Sequence, residues 1–386
     1  MLEVLAVSHS DAPWGAERRL LDLAPRLAEL DIDLVLAAPD GELASLWCER
    51  GHRWVVQPQP RARGMRRDDG RRASPLTLAS QASASAAAGV RIARLARRLG
   101  VDVLHSHALN AHPEVAVAGR LAGVPTVLDL HDIVVPGFGR RVLGAAAALA
   151  DIVIANSRAT AATVAGGDVR VVNPGVDVER FHPGPADPTV RAELAADPTA
   201  PVVGILGRVD PEKGIDVVLR AVARLERVQA VVVGAPNVAD ETFAEELRTL
   251  GDDLLGARAR FVGPRDDVPD VLRALDVLVN ASRAEPFGRT VLEAQASGVP
   301  VIGTDAGGIP EFVTDGTSGR LVPPGDTAAL ASAIAEVLGD AELRETLRAG
   351  GLEAARSRSV PNQAALVAAI YRDAVNRRGS RRTRRI

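Results

Sequence analysis

Val202-Val203-Gly204-Ile205-Leu206 runs straight into Gly207-Arg208-Val209-Asp210-Pro211-Glu212-Lys213-Gly214. A short apolar run rich in Val and Ile reads as a buried strand, and the loop after it, punctuated by glycine and proline, leads into a stretch of helical spacing. A strand that feeds a crossover helix is the unit of a parallel sheet. The same rhythm recurs on both sides of this stretch. Strands are expected at 2–7, 34–37, 53–56, 103–105, 126–130, 152–155 and 169–172 in the first half. In the second half they are expected at 202–206, 230–233, 260–262, 277–279, 301–303 and 320–322. The fold class is therefore α/β, with two Rossmann-like doubly wound domains.

At 386 residues the chain is long enough for two such cores. Residues 181–201 carry Pro183, Gly184, Pro185, Pro188, Pro198 and Pro201, a density that breaks regular structure. They are expected to link an N-terminal domain, 1–180, to a C-terminal domain, 202–358, with one short helix near 189–196. Residues 359–377 bring Ala365, Val367, Ile370, Tyr371 and Val375 close to helical spacing and should pack on something. The basic tail 378–386 should stay disordered.

Hydrophobic residues make up 47% and charged residues 25%, the mixture of a soluble globular protein. The apolar run 2–7 is too short to span a bilayer and lacks a basic flank, which points to the cytoplasm. A net charge of -3 gives no reason to expect nucleic acid as a partner. The single cysteine, Cys48, excludes an internal disulfide and reads as a packing residue.

In open parallel sheets, ligands bind beyond the carboxyl ends of the strands. The unusual residues fall there: Gly15-Ala16-Glu17 after the first strand, His131-Asp132 after the fifth, Arg208 and Lys213 in the quoted loop, and Asp305-Ala306-Gly307-Gly308 later. The most informative segment is Glu285-Pro286-Phe287-Gly288-Arg289-Thr290-Val291-Leu292-Glu293. A helix opening here would offer unpaired N–H groups and the positive dipole end, so Gly288 to Val291 make a natural phosphate seat, and Phe287, Gly288, Arg289 and Thr290 are expected among the donor-binding residues. Glu293, expected in the first turn, would repel a phosphate; its fitting role is to accept hydrogen bonds from vicinal hydroxyls, as on a ribose. Glu285 could do the same for a second polyol. Alternatively, both glutamates simply favour a helix N-terminus.

Arg208 and Lys213 supply the positive charge that could bracket a diphosphate and neutralise it as it leaves. An ordinary solvated loop is the alternative. However, among 46 lysines and arginines Lys213 is the only lysine, and drift alone would rarely put it here.

These residues resemble the motifs of the GT4 family of retaining GT-B glycosyltransferases. The family carries the Gly-Arg and Lys-Gly cation pair and a Glu-x7-Glu motif, and the resemblance continues through Asn173-Pro174-Gly175-Val176-Asp177 with Arg180-Phe181 and through Gly307-Gly308-Ile309-Pro310-Glu311. It implies a GT-B fold: two domains facing across a cleft that closes by hinge motion, the first holding the acceptor and the second the nucleotide sugar, with the terminal helix crossing back to the first. It further implies that Arg208 and Lys213 contact the diphosphate, Glu293 the ribose, and Glu285 and His131 the donor sugar. Family members usually open with a Gly-Gly pair. Here Trp14 takes the first position, and Gly15 can still allow a close backbone approach.

The activity implied is metal-independent hexosyl transfer with retention, from a UDP- or GDP-sugar to a lipid-linked, polysaccharide or small-molecule hydroxyl, without a cofactor. No side chain need act as base, since the leaving phosphate oxygen assists deprotonation. Rival readings are a GT-B sugar-nucleotide epimerase and a non-catalytic nucleotide-sugar sensor or scaffold. His105 and His107 are expected to point to opposite faces of their strand, so no shared metal is expected; His107 and Asn110 could border the acceptor. Arg61, Arg63, Arg66, Arg67, Arg71 and Arg72 form a basic loop suited to an anionic membrane surface or a phosphorylated acceptor.

Overall fold

The computed structural model describes residues 1–58, 75–236 and 240–383, so the Arg61 to Arg72 segment lies outside the described residues. The chain folds as two compact units, Met1–Pro174 with Val360–Ile386, and Gly175–Ser359.

The first unit holds seven strands: β1 (Leu2–Val7), β2 (Ile32–Ala38), β3 (Trp54–Val56), β4 (Val103–Ser106), β5 (Thr126–Leu130), β6 (Ile152–Ala155) and β7 (Val169–Val171). All pair in parallel, in the order β3-β2-β1-β4-β5-β6-β7. Side chains alternate between two cores. Val4, Ala6, Leu34 and Leu36 enter one, while Leu5, Val7, Val35 and Ala37 enter the other. Burial on both faces is why these strands read as near-continuous apolar runs.

The terminal helix Val360–Thr383 covers the first of these cores with Ala364, Val367, Ala368, Ile370, Tyr371 and Ala374. Ala365 and Leu366 face solvent instead, so the apolar stripe starts one residue earlier than its sequence spacing suggested. The helix also runs through residues 378–383, which were expected to be disordered. Its basic residues find partners there: Arg377 reaches Asp168 at 2.6 Å and Arg378 the Gly119 carbonyl at 3.2 Å. Cys48 lies exposed on the helix Glu42–Glu49 rather than packed.

The second unit holds six strands: β8 (Val202–Leu206), β9 (Gln229–Val233), β10 (Ala259–Gly263), β11 (Val277–Asn280), β12 (Val301–Thr304) and β13 (Arg320–Val322). Their order is β10-β9-β8-β11-β12-β13, again parallel. The proline-rich segment is not a free linker but part of this unit. Pro188 opens the helix Pro188–Leu194, where its missing N–H costs nothing, and Asp187 caps it. Phe181, Val190, Leu194 and Ala195 are buried against Val202 and Val271. Arg191 fastens the segment to the Ala274 carbonyl and to Asp276, and closes it on itself at the Ala200 carbonyl. The chain enters and leaves the unit at one place, where Val176 N–H donates to the Arg358 carbonyl at 2.8 Å.

Each sheet reverses its winding once, between β1 and β4 in the first unit and between β8 and β11 in the second. Ligand sites of doubly wound sheets form at the carboxyl ends of such strand pairs. The loop after β8 is packed so tightly that a Cβ on Gly234, whose φ is +147°, would stand 1.8 Å from the Gly207 carbonyl oxygen. Gly234→Ala is therefore expected to lower unfolding free energy by about 3 kcal/mol or more in urea titration. An unchanged midpoint would mean that this loop gives way freely.

Candidate functional site

The winding reversal of the second unit is lined by the loops after β8 and β11, and these two are locked together. Gly214, at φ +62°, lies so close that a Cβ would come within 2.2 Å of the Ala281 carbonyl oxygen. The Arg283 N–H donates to the Glu212 carbonyl at 2.9 Å. A third loop closes on the same place. Gly307, at φ +67°, packs against the Glu285 backbone, and the Gly308 N–H donates to the Glu285 carbonyl at 2.8 Å. Only glycine combines this backbone conformation with so close an approach.

The side chains follow from that packing. Lys213 donates to Glu285 Oε2 at 2.7 Å, and the same oxygen accepts from Ser282 Oγ at 2.9 Å and Asn280 Nδ2 at 3.2 Å. Among the described residues Oε1 receives no hydrogen bond. Burial pushes the Glu285 carboxyl up, but the Lys213 charge and the three hydrogen bonds outweigh it, leaving the group below its ordinary value. Asp210 accepts from the Glu212 N–H at 2.9 Å through one oxygen, and its other oxygen forms an ion pair with Arg208 at 3.2 Å without a hydrogen bond. Arg208 keeps half its side chain in solvent. A fixed ammonium, an exposed guanidinium and an ionised carboxylate thus share one rim, the combination that can hold a polyol next to an anion.

Gly288, in the left-handed region at φ +101°, caps the helix Arg289–Ala296. A Cβ on it would lie 3.5 Å from Glu285 Cγ, so the helix start and the carboxylate are neighbours. Two details differ from the sequence reading. The Phe287 ring is 2% exposed and stacks on Phe312 at 4.7 Å, which leaves only its backbone for a ligand. Glu293 falls in the second helical turn rather than the first, paired with Arg289 across one turn at 3.4 Å. Thr290 is half-buried beside them.

His131 and Gly15 belong to the first unit. Gly15 opens the helix Gly15–Ala28 behind the exposed Trp14, and a Cβ there would meet nothing within 4 Å. The fold itself does not require glycine at this position. His131 follows β5 and joins a buried polar cluster that sequence reasoning did not assemble. Arg19, 2% exposed, donates to both Asp129 oxygens at 3.0 Å and approaches His131 Nδ1 at 3.2 Å. His131 Nε2 lies 3.4 Å from His107 Nδ1, and His107 Nε2 lies 2.7 Å from the Ala16 carbonyl. Burial holds His131 well below its ordinary value and pushes His105 down to about 3.

The expectation that His105 and His107 face apart is overturned. Their ring nitrogens approach to 3.3 Å. Residues two apart on an extended chain share a face, and it is residues one apart that oppose. His105, His107 and Asp129 bring one ligand atom each within 4.8 Å of one another, a grouping that could hold a metal ion. Arg19 already meets the Asp129 carboxylate there. Period-two spacing at 105/107 and 129/131 was the signal available in the sequence. Arg19 offered only its place one residue before Leu20 and four before Leu23, both core leucines of the same helix.

Residues 14–180 match the family described as Glycosyltransferase Family 4, and residues 200–340 that described as Glycosyl transferases group 1. The chain is 34% identical over 315 residues to D-inositol 3-phosphate glycosyltransferase of Acidothermus cellulolyticus, covering 74% of this chain and 70% of that one. It is 34% identical over 316 residues to the protein of the same name from Streptomyces bingchenggensis, covering 74% and 69%. Among solved structures it is similar to Anabaena HepE in complex with UDP and glucose, with a TM-score of 0.82 and 28% identity over 96% of this chain and 99% of that one. Sucrose-phosphate synthase of Thermosynechococcus elongatus, 23% identical with a TM-score of 0.77 over 97% and 99%, shares the fold.

The depressed carboxyl makes the Lys213–Glu285 pair testable by pH. Its stabilising effect is full above the ordinary glutamate value of 4.5 and is lost as pH falls through the lower folded value. Lys213→Met should cost about 2 kcal/mol at neutral pH. Urea midpoints should converge with the parent as pH falls below the ordinary glutamate value and through the lower folded one; a pH-independent difference would refute the pairing.

Proposed function

Because the chain belongs to glycosyltransferase family 4, we propose that it transfers a hexosyl group, with retention of configuration and without a metal, from a UDP- or GDP-sugar to an acceptor hydroxyl. The observation that carries this reading is the second-unit rim, where Lys213 and Glu285 stand 2.7 Å apart beside the Gly288 helix start. The rim offers cations and N–H groups for a diphosphate next to carboxylates for hydroxyls. HepE, a similar structure, is described in complex with UDP-glucose.

In this reading Lys213, Arg208 and the backbone of Phe287, Gly288, Arg289 and Thr290 hold the diphosphate, and Glu293 takes the ribose. Glu285 Oε1 accepts from a sugar hydroxyl, His131 meets the sugar from the first unit, and Gly15 admits the phosphate close to its backbone. The bond from the anomeric carbon to the phosphate oxygen breaks while the acceptor oxygen bonds that carbon on the same face. The acceptor proton passes to the leaving phosphate oxygen. Lys213 and Arg208 stabilise the charge that collects there, so positioning and electrostatics carry the rate. For the acceptor we put a phosphorylated cyclitol or sugar first, on the strength of the name the curated relatives share. Contact of the Arg61 to Arg72 segment with anionic headgroups would be an accessory to that step. Among the described residues no helix is long and apolar enough to cross a membrane.

A thermal-shift screen against UDP-, GDP- and ADP-sugars should show one responsive nucleotide family. Donor at about a hundred times its dissociation constant adds about 2.7 kcal/mol to the native state. Lys213→Ala and Glu293→Ala should abolish the response, and NMR of the product should show the donor's anomeric configuration, with turnover unaffected by EDTA. An inverted product, or a shift indifferent to both substitutions, would sink this reading.

A further inference from the structure

The histidine cluster of the first unit has a direction, and its neighbours set it. Arg19 can only donate, so the His131 Nδ1 it faces at 3.2 Å must be the lone-pair nitrogen, and the proton sits on Nε2. The Ala16 carbonyl can only accept, so His107 carries its proton on Nε2, 2.7 Å away, and turns the Nδ1 lone pair inward. His131 Nε2–H then points at His107 Nδ1 across 3.4 Å, and the chain reads Arg19 to His131 to His107 to Ala16. His105 lies alongside, its Nδ1 2.9 Å from the Tyr371 hydroxyl and its Nε2 3.3 Å from His107 Nδ1.

We propose that Arg19, Asp129 and Tyr371 are positioning residues that hold His131 in one neutral tautomer and one ring orientation. The inference rests on the reading that His131 meets the donor sugar. The groups facing the pair of rings are Arg19 from the helix after β1, Asp129 from β5, His105 at the end of β4, His112 from the helix that follows β4, and Tyr371 from the terminal helix. Among these only Asp129 favours an extra proton on a ring, and Arg19 already compensates it with one N–H shared between both carboxylate oxygens at 3.0 Å. An added proton on His131 Nδ1 would confront the other N–H of the same guanidinium nitrogen. Burial acts in the same sense, because His131 and His105 are both held below their ordinary values. Tyr371 ties the cluster to the terminal helix, since its hydroxyl bonds His105 Nδ1 and fixes that ring against His107.

Long-range 1H–15N spectra of the full-length protein at neutral pH should show His131 and His107 with their protons on Nε2. Arg19→Gln, which removes the guanidinium facing His131 Nδ1, should let His131 take up the Nδ1–H form. It should cut kcat by roughly tenfold or more while the donor KM moves less than about threefold. Tyr371→Phe, which removes one hydroxyl and keeps the packing, should move the His105 ring resonances and lower kcat with KM likewise held; it decides the matter if Arg19→Gln fails to fold. An Nδ1–H or charged His131 in the parent, one equivalent of tightly bound zinc in the purified protein, or full kcat in variants whose tautomers have changed would each overturn the proposal. Full transfer by His131→Ala with parent-like spectra for the remaining histidines would instead remove the role of His131 on which it rests.

Discussion

The loop that begins after β11 is held by glycines on two sides. Gly214 comes up against Ala281 and Gly307 against Glu285, each so close that a single methyl group would overlap a carbonyl oxygen. Both adopt positive φ, so the close approach and the backbone conformation are demanded together. Everything chemical in the second unit hangs on this three-loop contact. It fixes the Glu285 backbone, which places the carboxylate where Lys213, Ser282 and Asn280 converge on one oxygen. It also sets Glu285 beside the Gly288 helix start. A carboxylate and an ammonium this near satisfy each other, and the remaining carboxylate oxygen and the helix N–H groups form the surface that a ligand can use.

The first unit solves a different problem. It buries an arginine and an aspartate almost completely, an arrangement that costs desolvation and returns it only when the geometry is good. Here one guanidinium nitrogen serves both carboxylate oxygens and a histidine, and the histidines pass hydrogen bonds on to a backbone carbonyl. Networks of this kind are stiff because each member has one acceptable proton arrangement. The two units thus present contrasting chemistry: a charged rim with an exposed guanidinium in one, and imidazoles gathered around a buried arginine–aspartate pair in the other.

Several features were legible in the residues and several were not. The strands were, because burial on both faces leaves a continuous apolar run whatever the rest of the chain does. The proline-rich segment misled. Proline forbids helix interiors but suits a first helical turn, and whether Arg191 would find the Ala274 and Ala200 carbonyls could not be read from order along the chain. Phe287 stood among the expected donor-binding residues, yet its partner in the core, Phe312, lies in a different loop. The His105 and His107 pair was open to correct reading from the period of a strand alone. Asp129 and Arg19, which complete the cluster, were not, since they are separated by 110 residues.

The sequence by itself determined the α/β class, the two parallel sheets, the strand positions to within two residues, and the loops that carry the unusual side chains. These follow from local period and from the chain's need to bury apolar surface, and both are written in consecutive residues. The tertiary structure alone decided which loops touch and where the units divide. It also decided that the terminal helix seats Tyr371 on His105, and that Arg19 meets Asp129. Those contacts depend on strand order and on close backbone approach between distant segments, quantities that no stretch of consecutive residues contains.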